Sequence, residues 1–192
     1  MDLKTDLLAD EHLRLERLTA GHAPQLRAAC AADKQIWAIY PYNWGGAGFE
    51  ASFNDLMGLN AKGQALSFAA VVDGVCVGMT SLLGPDAANA AVEIGATYYR
   101  PEVRGGRVNP AAKRLLLSHA FARGARRVQL KVDAVNARSR AAVLKLGAVQ
   151  EGILRQDRLT WTGRVRDTVV FSILAEEWPS VLAGLDARLA PA

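Results

Sequence analysis

Cysteine and histidine are scarce in this 192-residue sequence, and neither follows a pattern typical of cross-links or metal sites. The two cysteines, Cys30 and Cys76, have no framework spacing, and the three histidines, His12, His22 and His119, are scattered along the chain. Because both cysteines have apolar neighbours in the sequence, we expect small core residues rather than nucleophiles. The composition therefore predicts neither a disulfide framework nor a metal centre.

Long hydrophobic runs are also missing from the sequence. About half of the residues are apolar (51%), yet no run approaches the length needed to cross a membrane. The N-terminal stretch MDLKTDLLADEHLRLERL is charged from its second residue and has no apolar signal core. We therefore expect a cytoplasmic protein with no membrane partner, folded as one domain over residues 1–192.

The charge balance is only mildly basic. Lys and Arg number 23 against 19 Asp and Glu, which gives a net charge of +4. Such a chain suits an anionic ligand. It lacks the interleaved basic and aromatic residues that single-strand binders use, and it has no G-x-x-x-x-G-K-[ST] or Rossmann glycine pattern. We expect no direct nucleic-acid binding and no nucleotide-triphosphate enzyme.

What the sequence does contain is a strand, a basic turn and a helix near its middle. Val92–Tyr99 alternates as a strand and Arg100–Val108 is rich in arginine and glycine. Asn109 can cap the following helix and Pro110 suits a first helical position, so the helix is predicted to begin within a residue of Pro110. Glycines in the turn and free N–H groups at the helix start favour a phosphate cradle, although a two-arginine turn alone would indicate only a solvated loop.

The other segments predict helices and strands in alternation. The predicted helices are Ala20–Ala32, Phe49–Leu59, Asn136–Leu146 and Glu176–Leu189, and the further strands are His12–Leu18, Ala65–Val72, Val75–Ser81, Arg127–Ala134, Gln150–Trp161 and Arg164–Leu174. Tight turns are expected at Asp73-Gly74, at Gly84-Pro85-Asp86 and at Thr162-Gly163. The strand, helix and strand around Pro110 imply a parallel pair with a right-handed crossover, and the chain is predicted to be an α+β domain.

Large aromatic side chains are concentrated in one loop. Trp37, Tyr40, Tyr42 and Trp44 fall within eight residues and are followed by three glycines in four positions. One interpretation is a packed loop whose rings close the core. The other is a mobile wall of a substrate pocket, because glycines beside large rings allow a lid to adapt.

Four segments carry a resemblance to a known family. They are EIG at 93–95, NPAAKRLLLSHAF at 109–121, VDAVNARSRAAVLKLGAVQEGILR at 132–155 and RVRDTVVFSILAEEWP at 164–179. On these motifs the chain resembles the GNAT superfamily of acyl-CoA N-acyltransferases, and within it the Rim-type N-terminal acetyltransferases. The resemblance implies a single GNAT-type domain, with a mixed, mostly antiparallel twisted sheet, a central parallel strand pair and flanking helices.

The resemblance also implies where coenzyme A binds. Its pyrophosphate would lie on a turn of the pattern Q/R-x-x-G-x-G/A, which falls on Arg104, Gly105, Gly106, Arg107, Val108 and Asn109. The fourth position is Arg107 instead of glycine and the sixth is Asn109. The arginine would either crowd the phosphate or swing outward and add a charge to it.

For the chemistry, Glu93 is the best candidate base. It interrupts an apolar strand, where a carboxylate has a raised pKa and accepts a proton near neutrality. The alternative is that Glu93 pairs with a nearby arginine and only orders the sheet. Its face of the strand is expected to carry Glu93, Gly95 and Thr97, with Val92, Ile94, Ala96 and Tyr98 on the other. By resemblance, the backbone of this strand would bind the pantetheine arm.

Asn136 and Ser139 lie one helical turn apart. By resemblance, the asparagine would contact the cofactor arm and the serine hydroxyl would protonate the leaving thiolate; the alternative is that they form only a cap and a first helical turn. Candidates for the 3′-phosphate end of the cofactor are Arg138, Arg140 and Lys131, which are otherwise an exposed basic face.

The resemblance places the acceptor opposite the cofactor, near Trp37, Tyr40, Trp44 and Trp161. Such walls suit a protein N-terminus, a small amine or an amino acid. The expected partners are acetyl-CoA, or another acyl-CoA such as succinyl-CoA, and an amine acceptor; no metal is expected, and a homodimer is left open. The alternative is a CoA-binding or peptide-binding module with this fold that has lost turnover.

Overall fold

The computed structural model describes residues 1–191 and contains one eight-stranded sheet with five α-helices. The strands are β1 Leu7–Ala9, β2 Arg14–Arg17, β3 Ala65–Val72, β4 Val75–Asp86, β5 Ala91–Tyr99, β6 Arg127–Asp133, β7 Val149–Leu159 and β8 Val165–Leu174. The helices are α1 Ala23–Ala31, α2 Phe49–Ala61, α3 Val108–Ala122, α4 Ala137–Leu146 and α5 Trp178–Leu189. Short 3₁₀ turns lie at Ala20–His22, Gln35–Ile39, Gly46–Gly48 and Pro101–Val103.

The strand order is β1-β2-β3-β4-β5-β6-β8-β7, and only β5 and β6 run parallel. The predicted α+β architecture with one central parallel pair is therefore confirmed. Helices α3, α4 and α5 cover a core on one face of the sheet, whereas α1, α2 and the loop between them cover a second core on the other face. None of the helices in residues 1–191 has the length and apolar character of a membrane span.

Local turn chemistry explains the elements that were predicted well. Asp73 and Gly74 both have positive φ, 49° and 78°, which is the conformation that a two-residue hairpin between β3 and β4 requires. At the start of α4 the Asn136 side chain accepts from the Ser139 backbone N–H at 3.0 Å, and at its end Gly147 is left-handed at φ 97°. These residues fix their elements without help from distant contacts.

The structure differs from the prediction at the edge of the sheet and at the second predicted turn. The first predicted strand, His12–Leu18, corresponds to β2, whereas the edge strand β1 was not predicted, because its three residues are too few to give a periodic signal. Gly84-Pro85-Asp86 does not end β4, because the strand passes through an irregularity after Leu83 and pairs again at Asp86. A bulge is where a strand tolerates proline, since the missing N–H is then not needed by the ladder.

The predicted start of α3 is also wrong. The helix begins at Val108 with Arg107 as its N-cap residue, so Asn109 lies inside the first turn and does not cap the helix. Val108 is only 8% exposed and packs into the core under α3, which draws the helix start towards the sheet. Pro110 still fits, because its missing N–H belongs to the first turn, where N–H groups have no helical partner.

A bulge in β5 changes which side chains share a face. Ala96 has φ 46°, and the register against β4 shifts between Met79 and Ser81. The alternation predicted for this strand therefore fails beyond Gly95: Ile94 packs on the α3 side, whereas Tyr98 packs on the α1 side. The bulge twists the strand at the point where it leaves its parallel neighbour.

Candidate active site

The parallel strands β5 and β6 separate part-way along their length. Their ladder ends at Glu93 and Gln129, although the strands continue to Tyr99 and Asp133. A cleft of about 890 Å³ opens between them, here called the β5–β6 cleft. Beyond Glu93 the edge of β5 that faces this cleft has no neighbouring strand, and apart from the Thr97 carbonyl, which accepts from Tyr40, its backbone groups are available to a ligand.

A turn with unused backbone donors borders the cleft at the start of α3. Among residues 1–191, the N–H groups of Gly105, Gly106, Arg107, Val108 and Asn109 donate to no protein acceptor. Gly105 has φ 78°, a conformation that glycine adopts without strain. Consecutive free amides at a helix N-terminus form an anion site, so the predicted phosphate cradle is present in the backbone of this 104–109 turn.

The side chain of Arg107 points away from the 104–109 turn. Its Nη2 donates to the carbonyl of Ala190 at 3.2 Å, just beyond the end of α5. The side chain therefore does not crowd the turn, and it does not add its charge there either. Gly106, one residue earlier, is open, since a Cβ there would meet only the Val103 carbonyl at 3.7 Å.

Arg104 forms a wall of the cleft and is already partly satisfied. Its Nη1 donates to Asp33 Oδ2 at 2.6 Å and its Nε to the carbonyl of Tyr99 at 2.7 Å. Its other terminal nitrogen, Nη2, is buried and has no acceptor among the described residues. One donor of Arg104 is thus left without a protein partner.

Glu93 pairs with a lysine, whereas the alternative interpretation named an arginine as its partner. Lys131 Nζ lies 3.2 Å from Glu93 Oε2, and both side chains line the cleft. The ion pair separates Lys131 from Arg138 and Arg140, the other two residues predicted for the 3′-phosphate end of the cofactor. Gly95 makes room for the carboxylate, because a Cβ there would lie 2.9 Å from Glu93 Oε1 and 2.7 Å from Leu83 Cδ1.

The start of α4 brings two predicted residues to the cleft. Asn136 and Ser139 both line it, and Asn136 also serves as the cap of the helix. Arg138 lines the cleft from the same turn. Arg140 instead donates to the carbonyl of Ala134 at 3.3 Å and lies outside the cleft lining.

The aromatic loop, residues 36–44, combines the two interpretations that the sequence left open. Trp37 is 1% exposed, donates to the Cys30 carbonyl and is a core residue outside the cleft. Tyr40 lines the cleft and its hydroxyl donates to the Thr97 carbonyl at 2.9 Å. Trp44 is buried against Phe49 and also lines the cleft. The loop therefore closes the core and walls the pocket.

Trp161 lies outside the cleft and connects the hairpin tip to the aromatic loop. Its ring N–H donates to the carbonyl of Trp37 at 2.8 Å, and its backbone N–H donates to the carbonyl of Pro41 at 3.2 Å. The side chain is 49% exposed. Trp161 thus holds the aromatic loop in place from outside the β5–β6 cleft.

Sequence reasoning missed two buried cations in the cleft, Lys113 and Arg166, each only 7% exposed. Lys113 Nζ donates to Thr97 Oγ1 at 3.4 Å and has no carboxylate partner among residues 1–191. Burial lowers the pKa of Lys113 to about 8. The signal was available for Lys113, since it follows two alanines on the apolar face of α3 and interrupts that face.

Nothing in the described residues is arranged to hold a metal ion: no three His, Cys, Asp or Glu side chains cluster there. Cys30 and Cys76 are buried and free, and burial raises the pKa of the Cys30 thiol to about 12. Their predicted role as core residues is confirmed. The reactive groups that remain in the cleft are carboxylate, hydroxyl, amine and guanidinium.

The fold is shared with solved acetyltransferase structures. A candidate acetyltransferase from T. thermophilus is 36% identical over 99% of this chain and all of its own, with a TM-score of 0.89. A GCN5-related N-acetyltransferase from Brucella melitensis is 30% identical over 98% of this chain and 87% of its own (TM-score 0.88). RimJ of Mycobacterium smegmatis, solved with CoA-disulfide, is 24% identical over 91% and 88% and shares the fold at a TM-score of 0.76. The fold is that of an N-acetyltransferase.

The sequence agrees with that class. A family profile described as the acetyltransferase (GNAT) domain matches residues 12–149, which is most of the chain. The protein belongs to the GNAT acetyltransferase family. No curated protein is similar enough in sequence to match it.

Proposed function

We propose that this single domain moves an acetyl group from acetyl-CoA directly to a primary amine, either a protein N-terminus or a small amine, inside the β5–β6 cleft. The observation that carries the proposal is the pairing of a free-amide turn with a free strand edge in one cleft. A diphosphate with a long amide-bearing arm needs both features. No covalent enzyme nucleophile is needed.

The 104–109 turn would hold the pyrophosphate through its backbone. Five consecutive N–H groups, the helix N-terminus and Arg104 Nη2 are all donors with no protein acceptor in residues 1–191. The side chain of Arg107 points away from the turn, which supports retained binding despite the departure from the family pattern. This removes the main reason to favour a module that has lost turnover.

The edge of β5 from Glu93 to Tyr98 would hold the pantetheine arm, with Asn136 on the opposite side. An amide of this edge would polarise the thioester carbonyl, and donors already fixed in place do this without reorganising. The Ala96 bulge sets the direction of these amides. Because the contacts come from backbone groups, they depend little on side-chain identity.

Glu93 would accept the proton of the incoming ammonium, directly or through water. The neutral amine then forms a C–N bond with the acyl carbon while the C–S bond breaks. The nitrogen loses its second proton as the amide forms, and Ser139 or water relays this proton to the departing thiolate. Glu93 and Ser139 both line this cleft, Glu93 from β5 and Ser139 from α4. Proton removal and proton return would therefore be carried out by two different residues.

Two measurements on the wild-type protein test the proposal. Calorimetry with coenzyme A should show binding to a single site per chain, and thiol release from acetyl-CoA should rise when primary amines are added. Control reactions without amine give the hydrolysis background. Binding without thiol release from any acceptor would favour the module, and absence of binding would overturn both functions.

A further inference from the structure

Arg166 is a buried cation that the proposed transfer reaction leaves unused. It lies on β8, its side chain is 8% exposed, and it lines the β5–β6 cleft. Its Nε is buried without a hydrogen-bond partner, and its guanidinium donates to no residue in 1–191. The closest acidic atom is Asp133 Oδ2 at 3.9 Å, which is too far for a hydrogen bond.

Asp133 does not accept a hydrogen bond from Arg166, and its oxygens already accept from other donors. Both terminal nitrogens of Arg164 donate to this carboxylate, and the backbone N–H of Val135 donates to Oδ1 at 3.1 Å. A buried guanidinium without an acceptor is costly. Arg166 therefore has donors in place for an acceptor that enters the cleft from outside.

A second arginine faces Arg166 directly across the hairpin. Arg158 on β7 is its cross-strand partner, and it also lines the cleft. Like charges directly opposite one another destabilise a strand pair. The only contact that fixes Arg158 among the described residues is a long one, 3.4 Å from its Nη1 to the hydroxyl of Tyr42 in the aromatic loop. An anion between the two guanidinium groups would remove this repulsion.

These arginines are on the opposite face of the sheet from α3. Val169 and Phe171 of β8 belong to the core under α3, α4 and α5, so Thr168 and Arg166 point to the other face. Lys131 and Asp133 share that face, since Leu130 and Val132 of β6 lie in the same α3-side core. The pair is thus separated from the phosphate-binding turn and faces the aromatic loop, where the acceptor is expected.

We propose that the acceptor amine carries a carboxylate, which binds between Arg166 and Arg158 while its amino group points towards Glu93. Guanidinium groups bind a carboxylate through paired hydrogen bonds, which gives direction as well as attraction. The acceptors of this class are amino acids and short peptides with a free carboxylate. The inference rests on the proposed function.

The test compares each amino acid with its own amide. Glycine, β-alanine and 4-aminobutyrate vary the distance between amine and carboxylate, while glycinamide and β-alaninamide keep the amine and lose the charge. Kinetics of thiol release should show a KM about ten- to hundredfold lower for the best acid than for its amide. Equal KM values for acids and amides, or a preference for O-phosphoethanolamine over every carboxylate, would overturn the inference.

Variants then assign the effect to residues. Arg158→Gln, at an exposed position, and Arg166→Gln should raise the KM of the acid to that of its own amide and leave the affinity for coenzyme A unchanged. Arg155→Gln, also on β7 but outside the cleft, is the matched control and should retain the preference. Weaker coenzyme A binding in Arg158→Gln would assign the arginines to the cofactor and refute the proposal. Failure of thiol release with every amine would instead refute the proposed function.

Discussion

The two sides of the β5–β6 cleft are built from different parts of the chain. On the α3 side, the features that fit a ligand are backbone N–H groups and a free strand edge. On the hairpin side they are side chains: Tyr40, Tyr42, Arg158 and Arg166. The first kind of site tolerates a change of residue type, as Arg107 illustrates, because the donors belong to every residue. The second kind depends on individual side chains.

The largest effect is expected where a side chain performs chemistry. Glu93→Gln keeps the shape but cannot accept a proton, and it should lower turnover by roughly 10²–10⁴-fold, as expected for loss of a general base. Coenzyme A affinity, measured by calorimetry, should not change. Glu151→Gln is a suitable control, since Glu151 also pairs with a cation, Arg127, but lies outside the cleft. Turnover within about twofold of wild type would remove Glu93 from the mechanism.

Lys113 is an exception to this comparison. It is a buried side chain on the α3 side of the cleft, where the other features that fit a ligand are backbone groups. Burial lowers the pKa of Lys113 from 10.5 to about 8. Below pH 8 the side chain is protonated in both the folded and the unfolded chain, so the folded state is destabilised by the full free-energy cost of the buried charge. Between pH 8 and 10.5 only the unfolded chain keeps the proton, and stability rises with pH. Lys113→Met should therefore stabilise the protein by about 2–3 kcal/mol at pH 7.

Denaturant unfolding at pH 7 and pH 10 measures this difference. At pH 10 most of the stability gained by Lys113→Met should be lost, because Lys113 of the folded wild type is then largely neutral and no longer a buried charge. Lys145→Met at an exposed position of α4 should change stability by less than about 0.5 kcal/mol at either pH. A gain that is equal at both pH values would mean that added apolar contact, not the buried charge, is responsible.

The two adjacent glycines of the 104–109 turn test whether its backbone N–H groups bind the anion. Gly105→Ala forces an L-residue to φ 78°, which costs about 1–2 kcal/mol and should weaken coenzyme A binding roughly tenfold where the turn distorts. Gly106→Ala has room and no positive φ, so it is the matched control. If both variants bind equally well, the turn amides are not the anion site.

The smallest effect is expected at Arg107, the residue that departs most from the family pattern. Arg107→Ala should leave coenzyme A affinity within about twofold of wild type, because the guanidinium contacts the Ala190 carbonyl outside the turn and the backbone N–H is retained. Calorimetry at low salt gives the most sensitive measurement. A loss of about tenfold or more would show that Arg107 moves to the ligand, and a gain would show that it obstructs the site.

Sequence reasoning recovered most of the fold and part of the site. The hairpins, α4 with its cap, and the cleft residues Glu93, Asn136 and Ser139 were identified from local motifs. It placed Trp37 and Trp161 in the acceptor pocket, whereas one is a core residue and the other fixes the hairpin from outside. It found neither Lys113, although this residue interrupts the apolar face of α3, nor Arg166, whose burial has no signal in the neighbouring sequence.

By itself the sequence determined those features that depend on a few neighbouring residues. Asp73-Gly74 sets a turn, Asn136 and Gly147 bound a helix, and the EIG segment needs its glycine beside the carboxylate. These signals act over about two to four positions, where backbone sterics and local hydrogen bonds dominate.

Only the tertiary structure decided the rest. The Ala96 bulge arises where β5 must pair with β4 and leave β6, and nothing in the local sequence requires a positive φ there. Arg107 is held by a carbonyl 83 residues away, and Arg158 faces Arg166 only because the hairpin register places them opposite. Distant contacts of this kind are set by packing of the whole sheet, so composition and spacing cannot reveal them.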